Sequence, residues 1–319
     1  MALPPFSAEL NARIAAAVRW LECLVDRASG DAPNLGANDG ANLLPLTDAP
    51  YRDYRPAVQL AAALFRNERF VAGDGVWMHH LGALGVPVPA AVAPAPASSA
   101  FAAGGLTVLH RDRSMALLRV PRHRFRPGHA DPLHVDLWVH GENCLRDDGT
   151  FSYNADPASM EYFGGVGAHN TIEFDDMEPM PRLGRFLWGD WLQANESSGP
   201  VELPDRVSAR ARYTTASGAV HERTIALHDD RLVVTDRVRD FERHAVCRWR
   251  LRPGAWVLNG TRLADGRHEL SVECDAPIAR VALVEGWESR HYQQRTVVPV
   301  LEVELATPTT LRTTYRWTP

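Results

Sequence analysis

The 319-residue sequence contains no lysine, so all 34 of its basic side chains are arginines. A GC-rich genome explains this better than selection for guanidinium groups that grip carboxylate or sulfate, because the arginines are spread over the whole chain. The formal net charge of -5 argues against a general affinity for nucleic acid. Cysteine is also scarce, and the wide spacing predicts neither a disulfide framework nor a thiolate metal site: Cys23, Cys144, Cys247 and Cys274.

Several targeting and catalytic signals are missing as well. No apolar run approaches the roughly 20 residues that a membrane span needs. The N-terminal residues MALPPFSAEL lack the basic and apolar segments of a secretory signal. No glycine-rich phosphate loop and no G-x-S-x-G elbow are present. As written, the sequence predicts a cytoplasmic chain that contacts neither membrane nor nucleic acid.

The first ninety residues have the periodicity of helices. Ser7 can act as an N-cap, apolar residues follow at helical spacing as far as Val25, and Gly30 can end this helix. Two further helices are predicted over about 56–70 and 76–84. The stretch PNLGANDGANLLPL between the first two predicts a structured loop. Such short helices cannot close a core alone, so we expect them to pack on something else.

After the helices the apolar period changes from helical spacing to two. The Pro/Ala-rich stretch from Pro87 to Ser99 predicts an extended connector, and we place the linker at 91–105. Strands are predicted at 114–120, 133–140, 171–174, 219–228, 231–238, 245–251, 268–274, 278–284, 300–305 and 311–317. The predicted fold class is therefore α+β and mostly β: a helical segment over 1–90 and a large antiparallel β-sandwich over 106–319.

The stretch from His129 to Asn170 contains three side chains with metal-ligand chemistry: His129, Asp147 and His169. Two imidazoles and one carboxylate, with a position left for water or substrate, suit an accessible zinc site. The spacings of 18 and 22 residues are too long for one helix face, so separate strands and turns would have to supply the ligands. Because the spacing matches no compact zinc pattern, ordinary polar loop residues are the alternative.

The predicted strand 133–140 has two different faces. His134, Asp136, Trp138 and His140 share one face, and aliphatic residues alternate with them on the other. The aliphatic face should belong to the core, so the polar face should point at a groove, a neighbouring domain or solvent. Imidazole and indole rings suit sugar binding. A His134–Asp136 pair that serves structure alone is the alternative.

These segments resemble a known family. The sequence HADPLHVDLWVHGENCLRDDGTFSYN, followed by AHNTIEFDD and MPRLGRFLWGDW, resembles the C-terminal β-domain of the heparinase II/III-like polysaccharide lyases. The stretches PNLGANDGANLLPL and YRDYRP resemble the end of the helical toroid in those proteins, and EGWESRHYQQRTVVPVLEV resembles a later piece of the β-domain. The resemblance covers most of the chain from about Pro33 onward. It implies an incomplete α/α toroid, an antiparallel β-sandwich and cleavage of uronic-acid polysaccharides by β-elimination.

The resemblance also assigns roles to individual residues. It places His129 on the metal-binding histidine of the family's H-x-H pair, Asp147 on the metal-binding aspartate and His169 on the third ligand. The implied cofactor is a zinc ion with a structural role. Where the family has the first, catalytic histidine of that pair, this chain has Pro127, which cannot transfer a proton.

Other side chains have to be considered for catalysis and substrate binding. His134 and Tyr162 are the candidate catalytic residues, because β-elimination needs a tyrosine or histidine that accepts the C5 proton of the uronate. For Tyr162 the alternative is a packed ring with its hydroxyl at the surface. The candidate substrate contacts are Asp136, Trp138 and Asn170.

One part of the family pattern is missing. The Asn-His pair that neutralises the carboxylate and the main catalytic tyrosine lie on the family's toroid, and nothing like that segment precedes residue 90. Tyr51 and Tyr54 lie near the toroid's end and are not given this role. A misplaced start codon, a truncated gene or a partner chain would each account for the difference. If the N-terminus is truncated, we expect a periplasmic or exported protein.

Two functional hypotheses follow. The first is a polysaccharide lyase, or the C-terminal part of one, that acts on an acidic glycan. The second is a non-catalytic β-sandwich that binds such a glycan or pairs with a chain supplying the toroid. A homodimer or a partner chain is expected to cover the exposed helices. A zinc-dependent hydrolase ranks last, because no positioned general base is evident.

Overall fold

The computed structural model describes residues 6–185 and 187–318. Contacts within the chain divide it into two compact units. The helical unit extends as far as Pro33 and continues over Ala41–Ala97, and the β-rich unit comprises Asn34–Gly40 and the chain from Ser98 onward. The residues of the predicted linker, 91–105, are therefore shared between the two units, and a short strand begins at Ser99.

The helical unit contains α1 (Ala8–Leu24), α2 (Arg55–Arg66), a 3-10 turn (Val76–Met78) and α3 (His79–Leu84). The hydroxyl of Ser7 accepts a hydrogen bond from the backbone N–H of Leu10, as expected of an N-cap. The prediction that Gly30 ends α1 is wrong, because the helix already ends at Leu24. The second helix ends before Asn67, which has a left-handed backbone with φ of 54°.

The core of the helical unit is small. One cluster of its buried apolar residues consists of Val18, Val25, Val58, Ala62 and Phe70. Much of the first half of α1 stays exposed, and Leu10 retains 42% of its accessible surface. None of the helices among the described residues has both the length and the apolar character to cross a membrane.

Strands dominate the β-rich unit, and every strand pairing within its sheets is antiparallel. In chain order the elements are β1 (Ser99–Phe101), β2 (Leu106–Arg111), β3 (Ser114–Arg119), β4 (Val135–Val139), β5 (Glu142–Leu145), α4 (Pro157–Tyr162), a 3-10 turn (Val166–Ala168), β6 (Ile172–Phe174), β7 (Arg182–Gly184), β8 (Leu187–Trp188), β9 (Ala194–Leu203), β10 (Arg206–Thr214), β11 (Val220–Leu227), β12 (Arg231–Arg239), β13 (Ala245–Arg250), β14 (Val257–Asn259), β15 (Arg262–Ala264), β16 (His268–Cys274), β17 (Ile278–Glu288), β18 (Thr296–Leu305) and β19 (Thr309–Trp317).

Three sheets make up most of this unit. The first has the order β1-β2-β3-β4-β5, the second β14-β15-β16-β19-β12-β11-β10-β9, and the third β17-β18-β13-β6. Their inner faces contribute to one hydrophobic core that includes Leu137, Tyr213, Leu232, Trp249 and Tyr315. The predicted fold class, α+β and mostly β with antiparallel sheets after short N-terminal helices, is confirmed.

Every predicted strand segment overlaps an observed strand, and the prediction misses other strands. The longest omissions are β9 and β10. Strand β9 lies at the edge of the eight-stranded sheet and is almost entirely exposed or half-buried, so it lacks an alternating apolar pattern. In β10 the buried positions alternate, but two of them are alanines, Ala209 and Ala211, which give a weak apolar signal.

Candidate metal centre and adjoining cavity

Four side chains of the β-rich unit form a buried cluster. His129 lies between β3 and β4, Asp147 and Asp148 follow β5, and His169 follows the 3-10 turn Val166–Ala168. One potential ligand atom of each residue lies within 4.8 Å of those of the others, and all four residues are buried. The fold thus brings together the three ligands predicted from the sequence and adds Asp148 to them.

The imidazole of His169 lies at the centre of this cluster. Its Nε2 is 3.3 Å from Nδ1 of His129, 3.3 Å from Oδ2 of Asp147 and 3.5 Å from Oδ1 of Asp148. Ligand atoms at zinc-binding distances around a tetrahedral ion are separated by about 3.4 Å. The other nitrogen, Nδ1, donates to the carbonyl of Gly165 at 2.7 Å, so Nε2 is the nitrogen directed at the cluster.

The two imidazoles have opposite electrostatic surroundings. Burial lowers the pKa of His129 to about 4, so its ring is neutral at pH 7. Burial alone would also lower the pKa of His169, but the charges of Asp147 and Asp148 outweigh it and raise this pKa to about 10. A positive charge at this position is therefore strongly favoured, and a proton or a metal cation can supply it.

The two neighbouring carboxyl groups also differ. Burial would raise the pKa of Asp147, but the His169 imidazolium outweighs this effect and holds the pKa well below the ordinary range. Burial raises the pKa of Asp148 well above it, in spite of His169. Neither oxygen of Asp148 has a hydrogen bond of normal geometry among the described residues, although the backbone of Gly164 is close enough to lower its pKa slightly.

An unsatisfied buried carboxyl group is costly, since a lone polar group loses its hydration on folding. A cation within reach of both Asp148 and Asp147 would remove this cost. Two imidazoles and two carboxylates are ligands that zinc accepts, and the four side chains therefore fit a zinc ion.

His134 lies against this cluster but differs from its members. Its Nδ1 accepts a hydrogen bond from the backbone N–H of Asn170 at 3.0 Å. Its Nε2 is 3.8 Å from Oδ2 of Asp136 and 4.0 Å from Oδ2 of Asp147, without a hydrogen bond of normal geometry. The residue is only 2% exposed. The predicted catalytic role of His134 stays a prediction that would need a substrate to reach a buried imidazole.

The predicted substrate contacts are buried too. Both faces of β4 are covered, which leaves Asp136 1% and Trp138 3% exposed. Of the three surroundings expected for this polar face, a groove and solvent do not fit Asp136 and Trp138, because protein packs on both sides of β4, whereas His140, just after the strand, is exposed. Asp136 accepts a hydrogen bond from Nδ2 of Asn143 at 2.6 Å. A structural role is the better description of this carboxylate.

Asn170 is fully buried, and its side chain binds backbone groups of three segments. Its Oδ1 accepts from the backbone N–H of Arg250 at 2.6 Å, and its Nδ2 donates to the carbonyls of Val135 and Arg146. The amide thus joins β13 to β4 and to the residue that follows β5. These contacts favour a positioning role for Asn170 over direct contact with a substrate.

Tyr162 lies in a different place from the histidines. Its ring lines a cavity of about 430 Å³ together with Arg248 and Arg250. The phenolic oxygen accepts two hydrogen bonds, from Nη1 of Arg250 at 2.9 Å and from the backbone N–H of Trp287 at 2.8 Å. His134, the other candidate proton carrier, is not among the residues that line this cavity.

A second cavity, of about 220 Å³, adjoins the metal cluster. His129 forms part of its wall, so the cluster and the cavity share a side chain. Pro127, which replaces the catalytic histidine of the family pattern, also lines it. The polar wall includes three arginines and one tyrosine: Arg126, Arg182, Arg185 and Tyr153.

The guanidinium group of Arg182 is held by two contacts. Its Nη1 donates to the carbonyl of Met160 at 2.6 Å, and its guanidinium carbon lies 4.4 Å from the centre of the Trp188 ring. A Cβ added to Gly164 would lie 3.3 Å from His129 and 3.6 Å from Nη2 of Arg182, so the guanidinium and the imidazole flank the same glycine.

Sequence reasoning missed Asp148 and the cavity arginines. Asp148 was visible as the second member of an Asp-Asp pair, yet neighbouring residues of a regular strand point to opposite faces. The dense arginines of RHRFRPGH, just before His129, were a usable signal for a basic wall. Arg182 and Arg185 follow more than fifty residues later, and only the fold brings them to the same cavity.

Comparisons with known proteins agree with the fold. The profile of the family described as "Heparinase II/III-like, C-terminal" matches residues 93–318. A search of curated protein sequences finds no match.

Several solved structures share the architecture. A heparinase III gene product has a TM-score of 0.73 and 13% identity, over 98% of this chain and 47% of that chain. A second heparinase III has a TM-score of 0.71 and 10% identity, over 98% and 49%. The heparan sulfate lyase HepC of Pedobacter heparinus has a TM-score of 0.67 and 15% identity, over 93% and 45%. This chain spans about half the length of those proteins, and at such identities the likeness shows the fold alone. By its family profile, the chain belongs to the heparinase II/III-like family, whose C-terminal domain it carries.

Proposed function

We propose that this chain is the C-terminal part of a polysaccharide lyase that acts on uronic-acid-containing glycans by β-elimination. The observation that carries the proposal is the cavity beside His129, whose wall contains Arg126, Arg182 and Arg185. Guanidinium groups bind carboxylate and sulfate through paired, charge-assisted hydrogen bonds. The chain as a whole has a net charge of -5, so it should not attract anions in general. A local group of arginines in a cavity is instead suited to bind an acidic glycan.

The proposed chemistry needs such groups. The C5 proton of a uronate is weakly acidic, and its removal creates negative charge that spreads onto the neighbouring carboxylate. A donor that is already fixed in place stabilises this charge without reorganisation. Arg182 meets this condition, since Met160 and Trp188 hold its guanidinium beside His129.

We further propose that His129, Asp147 and His169 hold a zinc ion, with Asp148 as a fourth ligand. The short distances around Nε2 of His169 and the unsatisfied oxygens of Asp148 support this. Zinc, when bound, supplies a double positive charge in place of the proton on His169. A site closed by four protein ligands is typical of structural zinc. Its effect would be to fix the loops on which the cavity wall depends.

The lyase proposal also needs a side chain that accepts the C5 proton. His134 and Tyr162 stay the candidates from sequence, and Tyr153 joins them because it lines the basic cavity. The burial of His134 and the presence of Pro127 in the cavity wall favour the alternative, a non-catalytic domain that binds an acidic glycan or completes its site with a partner chain.

Two assays on the full chain separate these functions. A lyase releases unsaturated products, so incubation with heparan-type, alginate-type or glucuronan-type polymers should raise ultraviolet absorbance. A binding domain should retain the polymers without this signal. In either case Arg182→Gln should weaken binding about 10- to 100-fold, the equivalent of a charged hydrogen bond of roughly 1.5–3 kcal/mol. The control Arg280→Gln alters an arginine that pairs with Glu302 and Glu304. If the chain forms no unsaturated product and also retains none of the polymers, both functions are contradicted.

Elemental analysis tests the zinc proposal independently. The purified protein should contain about one zinc per chain, and His169→Ala should lose it. His228→Ala is the matched control, because His228 contacts Asp205 and Arg231 and belongs to no part of the cluster. A wild-type protein that takes up no zinc from a zinc-containing buffer would contradict the site.

A further inference from the structure

An ion pair on the eight-stranded sheet is buried beneath the zinc cluster's loops. Arg223 of β11 and Asp236 of β12 face each other in register, and both are 0% exposed. Nε of Arg223 donates to Oδ1 of Asp236 at 2.6 Å, and Nη2 donates to Oδ2 at 3.0 Å. His221, on the same strand as Arg223, donates from Nε2 to Oδ1 at 2.7 Å. The guanidinium is therefore held in one orientation.

The remaining nitrogen of this guanidinium reaches two loops. Nη1 of Arg223 donates to the carbonyl of Leu133 at 2.7 Å and to the carbonyl of Asn170 at 2.5 Å. Asn170 directly follows His169, the central residue of the cluster, and Leu133 directly precedes His134. A single side chain thus contacts the backbone beside His169, a proposed zinc ligand, and beside His134, which lies against the cluster.

The backbone at these two points needs such support. Leu133 has a φ of 54°, a left-handed conformation that costs a branched residue about 1–3 kcal/mol. The N–H of Asn170 donates to Nδ1 of His134, so the backbone of one loop is joined to a side chain of the other as well as to Arg223. A change at Arg223 would leave the carbonyl of Asn170 with the longer hydrogen bond from the backbone N–H of Val135, at 3.3 Å. The peptide that follows His169 would then be held less firmly.

Stability alone is a weak explanation for this pair. Replacing a buried ion pair by apolar residues of similar volume is often neutral or stabilising, because the charges lose their hydration on burial. The two carbonyl contacts give the pair a task that apolar side chains could not perform. We propose that Arg223, oriented by Asp236, is a positioning residue for the zinc site. This inference rests on the zinc proposal.

The test compares two conservative substitutions. Arg223→Lys keeps the charge, but an ammonium group cannot bind Asp236 and both carbonyls at once. The dissociation constant for zinc, measured by competition with a chromophoric chelator, should rise about 10- to 100-fold, as found for residues that orient metal ligands. The control is Arg252→Lys. Arg252 pairs with Asp265 and Glu142, away from both loops, and its substitution should leave the zinc constant unchanged.

Thermal unfolding of the zinc-free proteins separates positioning from stability. If both variants lose similar stability and both bind zinc like the wild type, the positioning role is overturned. If Arg223→Lys does not fold, the double variant Arg223→Met/Asp236→Leu leaves neither charge unpaired and should still raise the zinc constant. An unchanged constant in that variant also overturns the inference. If the wild type and every Arg223 variant bind zinc equally well, the positioning role is refuted and the zinc site stands. If the wild type binds no zinc, the zinc site is refuted too.

Discussion

Two clusters of buried charge lie in the β-rich unit, and they differ in how their polar atoms are satisfied. In the sheet pair, both oxygens of Asp236 accept hydrogen bonds, and four N–H groups of Arg223 donate. In the cluster around His169, neither oxygen of Asp148 has such a partner among the described residues. The carboxylate of Asp236 is thus satisfied by protein atoms, whereas that of Asp148 would gain partners from a cation, as the zinc proposal expects.

The carboxyl pKa values show the same contrast. Burial would raise the pKa of Asp236, but the charge of Arg223 reverses this and lowers it to about 2. Asp148 is equally buried, and burial, together with the neighbouring charge of Asp147, outweighs the effect of His169 and keeps the pKa of Asp148 well above the ordinary range. Burial without a dedicated counter-charge is thus the property that distinguishes the candidate ligand site from a structural ion pair.

The largest expected effect separates the two aspartates of the cluster in zinc-free protein. Asp147→Asn removes the charge that pairs with His169 and should lower the free energy of unfolding by about 3–5 kcal/mol, as for other broken buried pairs. Asp148→Asn should change it by less than about 1 kcal/mol, because an amide resembles the protonated carboxyl group that burial favours there. Urea unfolding at pH 7 with a chelator present measures both. Equal losses would mean that the two carboxyl groups share one environment.

The next prediction concerns pH and compares His169 with His221. In zinc-free protein the pKa of His169 is about 10, above the roughly 6.5 of an unfolded histidine. Its stabilising contribution is complete below pH 6.5 and is lost as the pH rises toward about 10, because only the folded state holds the proton in this interval. Between about pH 7.5 and 8.5 the free energy of unfolding should therefore fall by about 1.4 kcal/mol per pH unit more than in His169→Gln.

His221→Gln is the matched control for this pH series. Burial lowers the pKa of His221, so this ring is neutral in both the folded and the unfolded state above pH 7.5. Its substitution should change the stability but leave the slope with pH as in the wild type. A wild-type slope that equals that of His169→Gln would show that His169 is not protonated in the folded protein.

The sequence predicts the framework of this molecule well where one face of a strand is buried. Strands β11 and β12 alternate between buried and half-exposed residues, and the period of two locates both within a residue or two. The same rule fails for β4. Alternation distinguishes an apolar from a polar face, but it carries no information about what packs on the polar one, and Asp136 and Trp138 are buried as a result.

The candidate site is predictable only in part, for a comparable reason. His129, Asp147 and His169 follow from residue type and from the resemblance to a family, whereas Asp148 needs the irregular backbone that ends at Gly149. Gly149 has a φ of 77°, and a Cβ there would lie 2.2 Å from the carbonyl oxygen of Ser289. Only a residue without a Cβ fits this close approach. Arg223, ninety residues from Leu133 in sequence, is found only through the packed fold.

The smallest expected effect belongs to Tyr162, whose oxygen is satisfied in the manner of Asp236. Tyr162→Phe removes the acceptor of Arg250 and Trp287 and should lower the free energy of unfolding by about 1 kcal/mol, because water in the adjoining cavity can replace it. Zinc content should stay at the wild-type level, since this cavity is separate from that of His129. Loss of zinc would refute that separation. If the wild type releases unsaturated product and the folded, zinc-containing variant does not, Tyr162 is the proton carrier, and a satisfied hydroxyl has proved to be a catalytic one.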